Sequence, residues 1–587
     1  MKQHDLVRRK FGCGRRWFAA AIVALPGALS FAQNDAPAPV VAHEQMVVAA
    51  NPHAVAAGIE ILDAGGSAID AAIAVQAVLS MVEPQSSGIG GGAFLLHLEP
   101  GPVGQTPSLT AYQGRERAPA AGSPTMYLDA SGHERPFPEI AWGGATVGVP
   151  GVMRMLERAH ADHGRLAWAR LFAPAIALAE QGFEISPRLY FLLDRFENAA
   201  RAPAFRAHYY DADGKALPVG TRLVNEPYAR TLRAIAANGA EEMYSGELAQ
   251  AIVAAVRENG ISRGLLTLED LREYRAEKLA PLCTAYRRWT VCGPQLPSSG
   301  GVTTQQILGI AAHFELSSRP IAETVHIVAE ASRLAFADRA LYLGDPEFVD
   351  VPVGELLDPR YLAARAALIS PERALQQVSA GRPGQLAAWD YGPAPVSELA
   401  STSHFSIVDR FGNAVSMTTS VQSTFGSQLM VGGFLLNNQL TDFSSEPRAD
   451  GRPLANAPDA RKRPLSSMSP TIVLDGDGRM RLLVGSPGGT RIIGYVVQAI
   501  VGVLDRGLDV QEAVSAPHYL ARYGALELEE RSGLDDLAAQ LEALGHAVEQ
   551  RSLNSGLHVI AVEYAADGTR TLRGGVDPRR EGVAAGR

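Results

Sequence analysis

The chain has 587 residues, of which 47% are hydrophobic and 20% charged, the balance of a folded globular protein and not of a disordered one. Its 58 glycines and 37 prolines call for many turns but show no Gly-X-Y period, which excludes collagen-like and low-complexity architectures. The net charge is −9; six Lys/Arg against one Asp in residues 1–32 leave about −14 on the remainder, and an acidic body argues against a nucleic-acid or anionic-membrane partner. At roughly 150 residues per domain the length allows for about four domains.

Residues 1–16 are basic (Arg8, Arg9, Lys10, Arg15, Arg16), and the apolar run from Trp17 to Phe31 is too short and wrongly flanked to span a bilayer. With the small residues of Ser30-Phe31-Ala32 it reads as a signal peptide over 1–32, leaving 555 residues from Gln33 onward and predicting a periplasmic or secreted product. Arg15-Arg16 is compatible with twin-arginine export, but paired arginines are common in such regions and do not decide the route.

Asn51-Pro52 opens a helical pattern that runs to Leu62 and stops at Gly65-Gly66. A second helix follows over 71–81, with Ser67 and Asp70 spaced as a capping box ahead of it. The glycines of 88–92 could be mistaken for a phosphate loop. They lack the Gly-Lys-Ser/Thr ending and lead into a strand at 93–98, so close backbone packing is the better reading. Residues 143–380 carry mostly helical periodicity, as in 167–181 and 323–343. Inside that stretch Cys283 and Cys292 lie symmetrically about Arg287-Arg288. If those arginines form a hairpin tip, the two thiols face each other across the strands and a disulfide is open to them; a reduced, half-buried pair is the equal alternative.

Residues 376–398 turn to Gly, Pro, Ala and Gln with little periodicity and predict an exposed, mobile segment. Beyond it, 402–421 alternate as strands, 444–462 form a Pro/Arg/Asp-rich loop, and strands at 471–474 and 480–484 precede an apolar helix over 490–505. Strands and helices fall into separate blocks, which favours a layered α+β architecture over a βαβ repeat.

The 402–420 stretch is the most informative. Reflected about Phe411, it pairs Thr402 with Ser420. The period of two then puts Thr402, His404, Ser406, Ser416, Thr418 and Ser420 on one face, and Phe405, Ile407, Val415 and Met417 on the other. His404 and Asp409 invite a Ser-His-Asp reading, but they share one strand and turn, and no Gly-x-Ser-x-Gly elbow accompanies them. No metal-ligand spacing and no dinucleotide fingerprint occurs, so neither metal nor cofactor is expected. Taken alone, Thr402 is an ordinary β-branched residue opening a strand.

Eight ordered segments point further. GIEILDAGGSAIDAAIAVQAVLSMVEPQSSGIGGG at 58–92, RERAP at 115–119, LPSSGG at 296–301, AEASRLAFADRALYLGDP at 329–346, TSHFSIVD at 402–409, LLNNQLTDF at 435–443, RPLSSMSP at 463–470 and GSPGGTRII at 485–493 together resemble the γ-glutamyltranspeptidase (glutathione hydrolase) family of N-terminal-nucleophile enzymes. The resemblance implies a four-layer αββα sandwich built jointly by two chains of one precursor. It also implies self-cleavage between Ser401 and Thr402, giving a large chain (33–401, 369 residues) and a small one (402–587, 186 residues) that remain a heterodimer.

In the family pattern Thr402 attacks the γ-carbonyl of a glutamyl amide such as glutathione, its own freed α-amine serving as base. Water or an acceptor amine then opens the acyl-enzyme. Ser420, where the family more often has Thr, would hydrogen-bond the Thr402 hydroxyl, and Gly488 and Gly489 would form the oxyanion hole. Arg115, helped by Ser466 and Ser467, would hold the substrate α-carboxylate, and Asp442 with Gln439 the α-ammonium.

Three departures stand out. Gln422 replaces the usual substrate-contacting Asn, Thr441 replaces an acidic residue, and 444–462 looks shorter than the family's lid loop and carries no aromatic. They predict a more open pocket and keep two alternatives in play: a glutaryl or cephalosporin-type acylase of the same fold, and an unprocessed periplasmic binding protein.

Overall fold

The computed structural model describes residues 37–101, 107–197, 200–384, 389–394 and 401–587. The predicted signal peptide over 1–32 lies outside them. Ala38–Arg587 is one compact unit, so the four domains that length alone allows for are not present. Among the described residues no helix is long and apolar enough to cross a membrane.

The fold is mixed α and β, with two seven-stranded sheets whose neighbouring strands pair antiparallel throughout. The first runs in the order Val583–Gly586, Met46–Ala49, Ser403–Val408, Ala414–Ser420, Gly92–Glu99, Ser108–Gly114, Glu277–Leu279. The second runs Val40–Ala42, Arg570–Val576, His558–Tyr564, Met480–Val484, Thr471–Leu474, Trp289–Gly293, Leu282–Tyr286. Both sheets therefore combine strands from either side of residue 402.

Three apolar clusters follow from the strand alternation. Val47, Leu95, Phe405, Ile407, Val415 and Met417 pack on helices Pro52–Asp63 and Ala68–Val82. Met46, Val48, Leu96, Val408 and Ala414 meet Ile472, Leu483, Ile560 and Leu572 of the second sheet. Val473, Leu482 and Val484 pack on helices Ser299–Ala311, Ile321–Tyr342 and Ile492–Leu504. Each fully buried large side chain here contributes roughly 1.5–3 kcal/mol.

Local signals place the elements next to the site. Ser67 and Asp70 form the expected capping box, with Asp70 N–H to Ser67 Oγ at 3.2 Å and Ser67 N–H to Asp70 Oδ2 at 2.9 Å. The helix it opens starts at Ala68, three residues earlier than periodicity suggests, because every residue of Ala68–Val82 is buried and no apolar stripe marks its start. The glycines of 88–92 act through packing: a Cβ on Gly90 would overlap the Leu435 carbonyl, and one on Gly91 the Ser420 carbonyl. Cys283 and Cys292 are direct cross-strand partners joined by a disulfide, with Cα atoms 4.1 Å apart, and the tip residue Arg287 takes φ 56°.

The segment 376–398 departs from the expectation of a loose, exposed stretch. Residues 385–388 and 395–398 lie outside the described residues, but 389–394 are docked. Trp389 Nε1 donates to the Leu341 carbonyl at 3.0 Å, and Gly392 N–H donates to the Pro453 carbonyl at 2.9 Å. The loop 444–462 is likewise ordered around a small ribbon, Arg448–Ala449 against Arg452–Pro453.

Candidate active site

The hairpin has the register expected from its symmetry: Ser403 pairs with Thr419, His404 with Thr418 and Phe405 with Met417, centred on Phe411. The polar face lies between the two sheets. His404 bridges Thr418 Oγ1 (2.9 Å) and Ser406 Oγ (3.2 Å), and burial, with His558 alongside, holds its ring well below the usual histidine range, so it is neutral. Asp409 is occupied elsewhere, accepting from the N–H groups of Ala68, Phe411 and Asn413. No Ser-His-Asp unit is assembled from this pair.

Thr402 stands one residue ahead of the strand, buried, at the edge of a cavity. Its Oγ1 donates to the Ser401 carbonyl oxygen at 2.6 Å. Ser420 Oγ donates to that same oxygen at 2.7 Å and lies 3.4 Å from Thr402 Oγ1. Two hydroxyls thus converge on the carbonyl of the Ser401–Thr402 peptide bond. The Gln422 N–H donates to Ser420 Oγ at 2.8 Å, which leaves the Ser420 hydroxyl proton for the carbonyl. On the other side the Ser401 hydroxyl donates to the Gln85 carbonyl, and Ser87 Oγ to Ser403 Oγ at 3.0 Å.

The cavity brings together Thr402, Ser420, Gln422, Gln439, Asp442, Ser466, Ser467 and Gly489. Arg115 is fully buried beneath it, pairing with Asp442 Oδ2 at 2.5 Å across 327 residues of sequence. Its remaining donors reach the carbonyls of Pro464 and Leu465, both at 3.0 Å, so the guanidinium is held by backbone independently of Asp442. Burial raises the Asp442 carboxyl, while Arg115 opposes the shift. Glu116, also fully buried, is pushed up to about 8 by burial despite its contact with Arg115. The Gln422 amide donates to Asp442 Oδ1, and Gln439 Nε2 approaches Gln422 Oε1 at 3.4 Å. Gln422 takes φ 84°, a left-handed conformation unusual for a side chain of its size. With these groups drawn together the free space in the uncut chain is about 50 Å³.

Gln439–Asp442 is a turn of 3₁₀ helix, and Gly489–Arg491 is another, leading into the helix Ile492–Leu504. Gly488 takes φ 140° and Gly489 φ 59°, conformations that glycine adopts without strain. Their N–H groups have no acceptor among the described residues, as at any helix start. Gly488 itself is outside the cavity lining, packed on Tyr495.

Sequence reasoning passes over two cations. Arg339 lines the cavity and donates to Ser467 Oγ (3.0 Å) and Ser299 Oγ (2.9 Å); a charged Asp338-Arg339 pair inside an otherwise buried helix is the signal that marks it. Arg580 Nη1 donates to the Thr402 carbonyl at 3.1 Å, and nothing local in the sequence points to it. Among the described residues no group of three or more His, Cys, Asp or Glu is placed to hold a metal ion.

A glutathione hydrolase proenzyme of Bacillus subtilis (strain 168) is 35% identical over 561 residues, 93% of this chain and 92% of its own. The Acylase ACY 1 proenzyme of Pseudomonas sp. (strain SE83) is 37% identical over 539 residues, 90% of this chain and 91% of its own. Among solved structures, the cephalosporin acylase from Bacillus halodurans superposes with a TM-score of 0.82 at 29% identity, over 96% of this chain and 99% of that one. The family model described as Gamma-glutamyltranspeptidase matches residues 54–587, and on that match and these identities the chain belongs to the γ-glutamyltranspeptidase family.

Proposed function

We propose that the protein is an exported, self-cleaving γ-glutamyl acyltransferase or hydrolase with Thr402 as its N-terminal nucleophile, folded as an αββα sandwich shared by the two products of cleavage. The Cys283–Cys292 disulfide supports an oxidising compartment. The helices packed on the outer face of each sheet support the layer order.

Maturation begins at the convergent hydroxyls. Thr402 Oγ adds to the Ser401 carbonyl carbon while Ser420 donates to the developing oxyanion. The C–N bond breaks, the proton from Oγ goes to the leaving nitrogen, and Ser401 is left as an ester on Thr402. Water hydrolyses that ester, releasing the Ser401 carboxylate and regenerating the hydroxyl beside the α-amine that the C–N cleavage has already freed. In turnover this amine, with an ordinary value near 7.7–8.0, takes the hydroxyl proton as Oγ attacks the substrate amide. The N–H groups of Gly488 and Gly489 receive the oxyanion, and the ammonium returns its proton to the leaving amine. Water or an acceptor amine then opens the acyl-enzyme.

The observation that carries the γ-glutamyl reading is the Arg115–Asp442 pair beside Thr402. Asp442 lines the pocket and Arg115 stands buried behind it, outside the lining; a cation and an anion so paired suit a ligand carrying both a carboxylate and an ammonium, Arg115, Ser466 and Ser467 taking the former, Asp442, Gln439 and Gln422 the latter. A glutaryl chain lacks the ammonium and would leave Asp442 with only the Arg115 and Gln422 contacts it already has, adding no charge-assisted hydrogen bond of its own. The relative named as an acylase, at an identity like that of the glutathione hydrolases, makes glutaryl amides the second reading. Paired kinetics on γ-glutamyl and glutaryl p-nitroanilide test it: the first substrate is expected to have the higher kcat/KM, and faster glutaryl cleavage overturns the assignment.

A further inference from the structure

The steps above give no task to Arg580, the cation that touches the Thr402 main chain. Arg580 does not line the substrate cavity; it approaches the nucleophile from the other side, where it lines a separate cleft with Arg188, Asn554 and Glu581. Its Nη1 donates to the Thr402 carbonyl oxygen at 3.1 Å and its Nη2 to the Asn554 carbonyl at 3.4 Å, while its Nε has no acceptor among the described residues. The side chain is confined. A Cβ on Gly556 would stand 2.7 Å from Arg580 Cδ, and the preceding Arg579 is clamped to Asp577 Oδ1 at 3.0 Å and to both carboxylate oxygens of Glu529 at 2.6 Å.

We propose that Arg580 is a positioning residue of the nucleophile: it fixes the Thr402 main chain through the carbonyl oxygen and, once the amino terminus is free, its positive charge keeps that amine in the unprotonated form that accepts the hydroxyl proton. The inference rests on Thr402 being the N-terminal nucleophile. Carbonyl and amine of one residue are separated only by its Cα, so anchoring the first limits the swing of the second away from Oγ. A neighbouring cation also opposes protonation of an amine.

Acids and cations both face Arg580, and the acids offset its field in part. Glu83, at the end of helix Ala68–Val82, is raised by burial, with Arg188 and Arg580 opposing the shift. Tyr495 is raised by burial and stays a phenol, and His558 is lowered to about 3, chiefly by burial, and stays neutral. Asp577 is shared with Arg579, Ser555 and the Leu557 N–H, Glu581 accepts from the Arg188 N–H, and Arg188 adds positive charge. Burial lowers Arg580 itself to about 9, which leaves it cationic at neutral pH. Water in the adjoining cleft screens part of its field, so an effect of about one pKa unit on the amine is expected, not several.

The test compares Arg580→Met and Arg580→Lys with the parent as self-cleaved, purified enzymes. Two readouts are taken: kcat/KM against pH on γ-glutamyl p-nitroanilide, and competitive labelling of the Thr402 amine by trace acetic anhydride against pH. Arg580→Met is expected to move the acidic limb and the labelling midpoint up by about one unit and to lower kcat at pH 7 about tenfold, with KM within about twofold. Arg580→Lys is expected to restore most of each shift. Limbs and midpoints equal in Arg580→Met and parent, or equal in the Lys and Met variants, overturn the proposal. Labelling needs no turnover, so a chain inactive on γ-glutamyl amides sinks the substrate reading and leaves this one to stand or fall on the amine. If folded Arg580→Met stays uncut, cleavage regained in Arg580→Lys supports the positioning role, and an equally folded but uncut Arg580→Lys overturns it.

Discussion

Alanine at Ser420 isolates the first chemical step. Ser420 Oγ donates to the Ser401 carbonyl at 2.7 Å and accepts from the Gln422 N–H at 2.8 Å. As Thr402 Oγ moves from the carbonyl oxygen to the carbon, its own hydrogen bond of 2.6 Å is given up, and Ser420 remains the donor facing the new alkoxide. One such donor is worth about 3 kcal/mol in the transition state, or roughly 10²-fold in rate. The cost to the folded precursor is separate and smaller. The Gln422 N–H loses its acceptor for about 1 kcal/mol, a few degrees in melting temperature at most for a chain of this size. Ser420→Ala should therefore accumulate as a folded precursor that cuts itself about a hundred times more slowly, and Ser420→Thr, which keeps the hydroxyl, should cut within about tenfold of the parent rate. Purified precursor is followed on a denaturing gel over time, with circular dichroism to check folding. An alanine variant whose half-time stays within about threefold of the parent refutes the reasoning.

Asp442→Asn should lower kcat/KM on γ-glutamyl p-nitroanilide by about 10- to 100-fold, the worth of one charge-assisted hydrogen bond. It should change glutaryl cleavage by less than about threefold, because Arg115 keeps the Pro464 and Leu465 carbonyls; steady-state kinetics on both substrates check this. Gly488→Ala places a Cβ 2.8 Å from Tyr495 Cε2 at a φ of 140°, so single-turnover acylation should slow about 10²-fold at unchanged fold. Asp577→Asn bears on pH. Burial opposes ionisation of that carboxyl, but His518, Arg579 and Ser555 outweigh it and hold the group well below its ordinary value. A depressed carboxyl stabilises the fold above its unfolded value, near pH 4, and that contribution is lost as pH falls further. The parent's melting temperature should drop on acidification from pH 4 to pH 2 more steeply than that of Asp577→Asn, which should already be about 3 kcal/mol less stable at pH 7. Scanning calorimetry across that range decides it.

The features that could be read before folding are those decided within a few residues. The register of 402–420 follows from strict alternation on both sides of a short loop, the facing of Cys283 and Cys292, though not their bridging, from symmetry about Arg287-Arg288, and the capping box from Ser67 and Asp70 being three apart. Helix Ala68–Val82 began earlier than its pattern suggests because a helix buried on all sides carries no amphipathic mark. The docking of 389–394 was illegible for a related reason: Trp389 finds its acceptor on helix Ile321–Tyr342, not in its own neighbourhood.

The sequence alone determines the hairpin that carries Thr402 and Ser420, and the glycine-rich turn at 488–489, because backbone periodicity and turn chemistry are short-range. Tertiary structure alone decides the charges around them: Arg115 reaches Asp442 over 327 residues and Arg580 reaches Thr402 over 178. Burial by distant elements also sets the raised carboxyl of Glu116. Electrostatics acts through space and depends on which surfaces lose water, and only the packing of one sheet on the other fixes that.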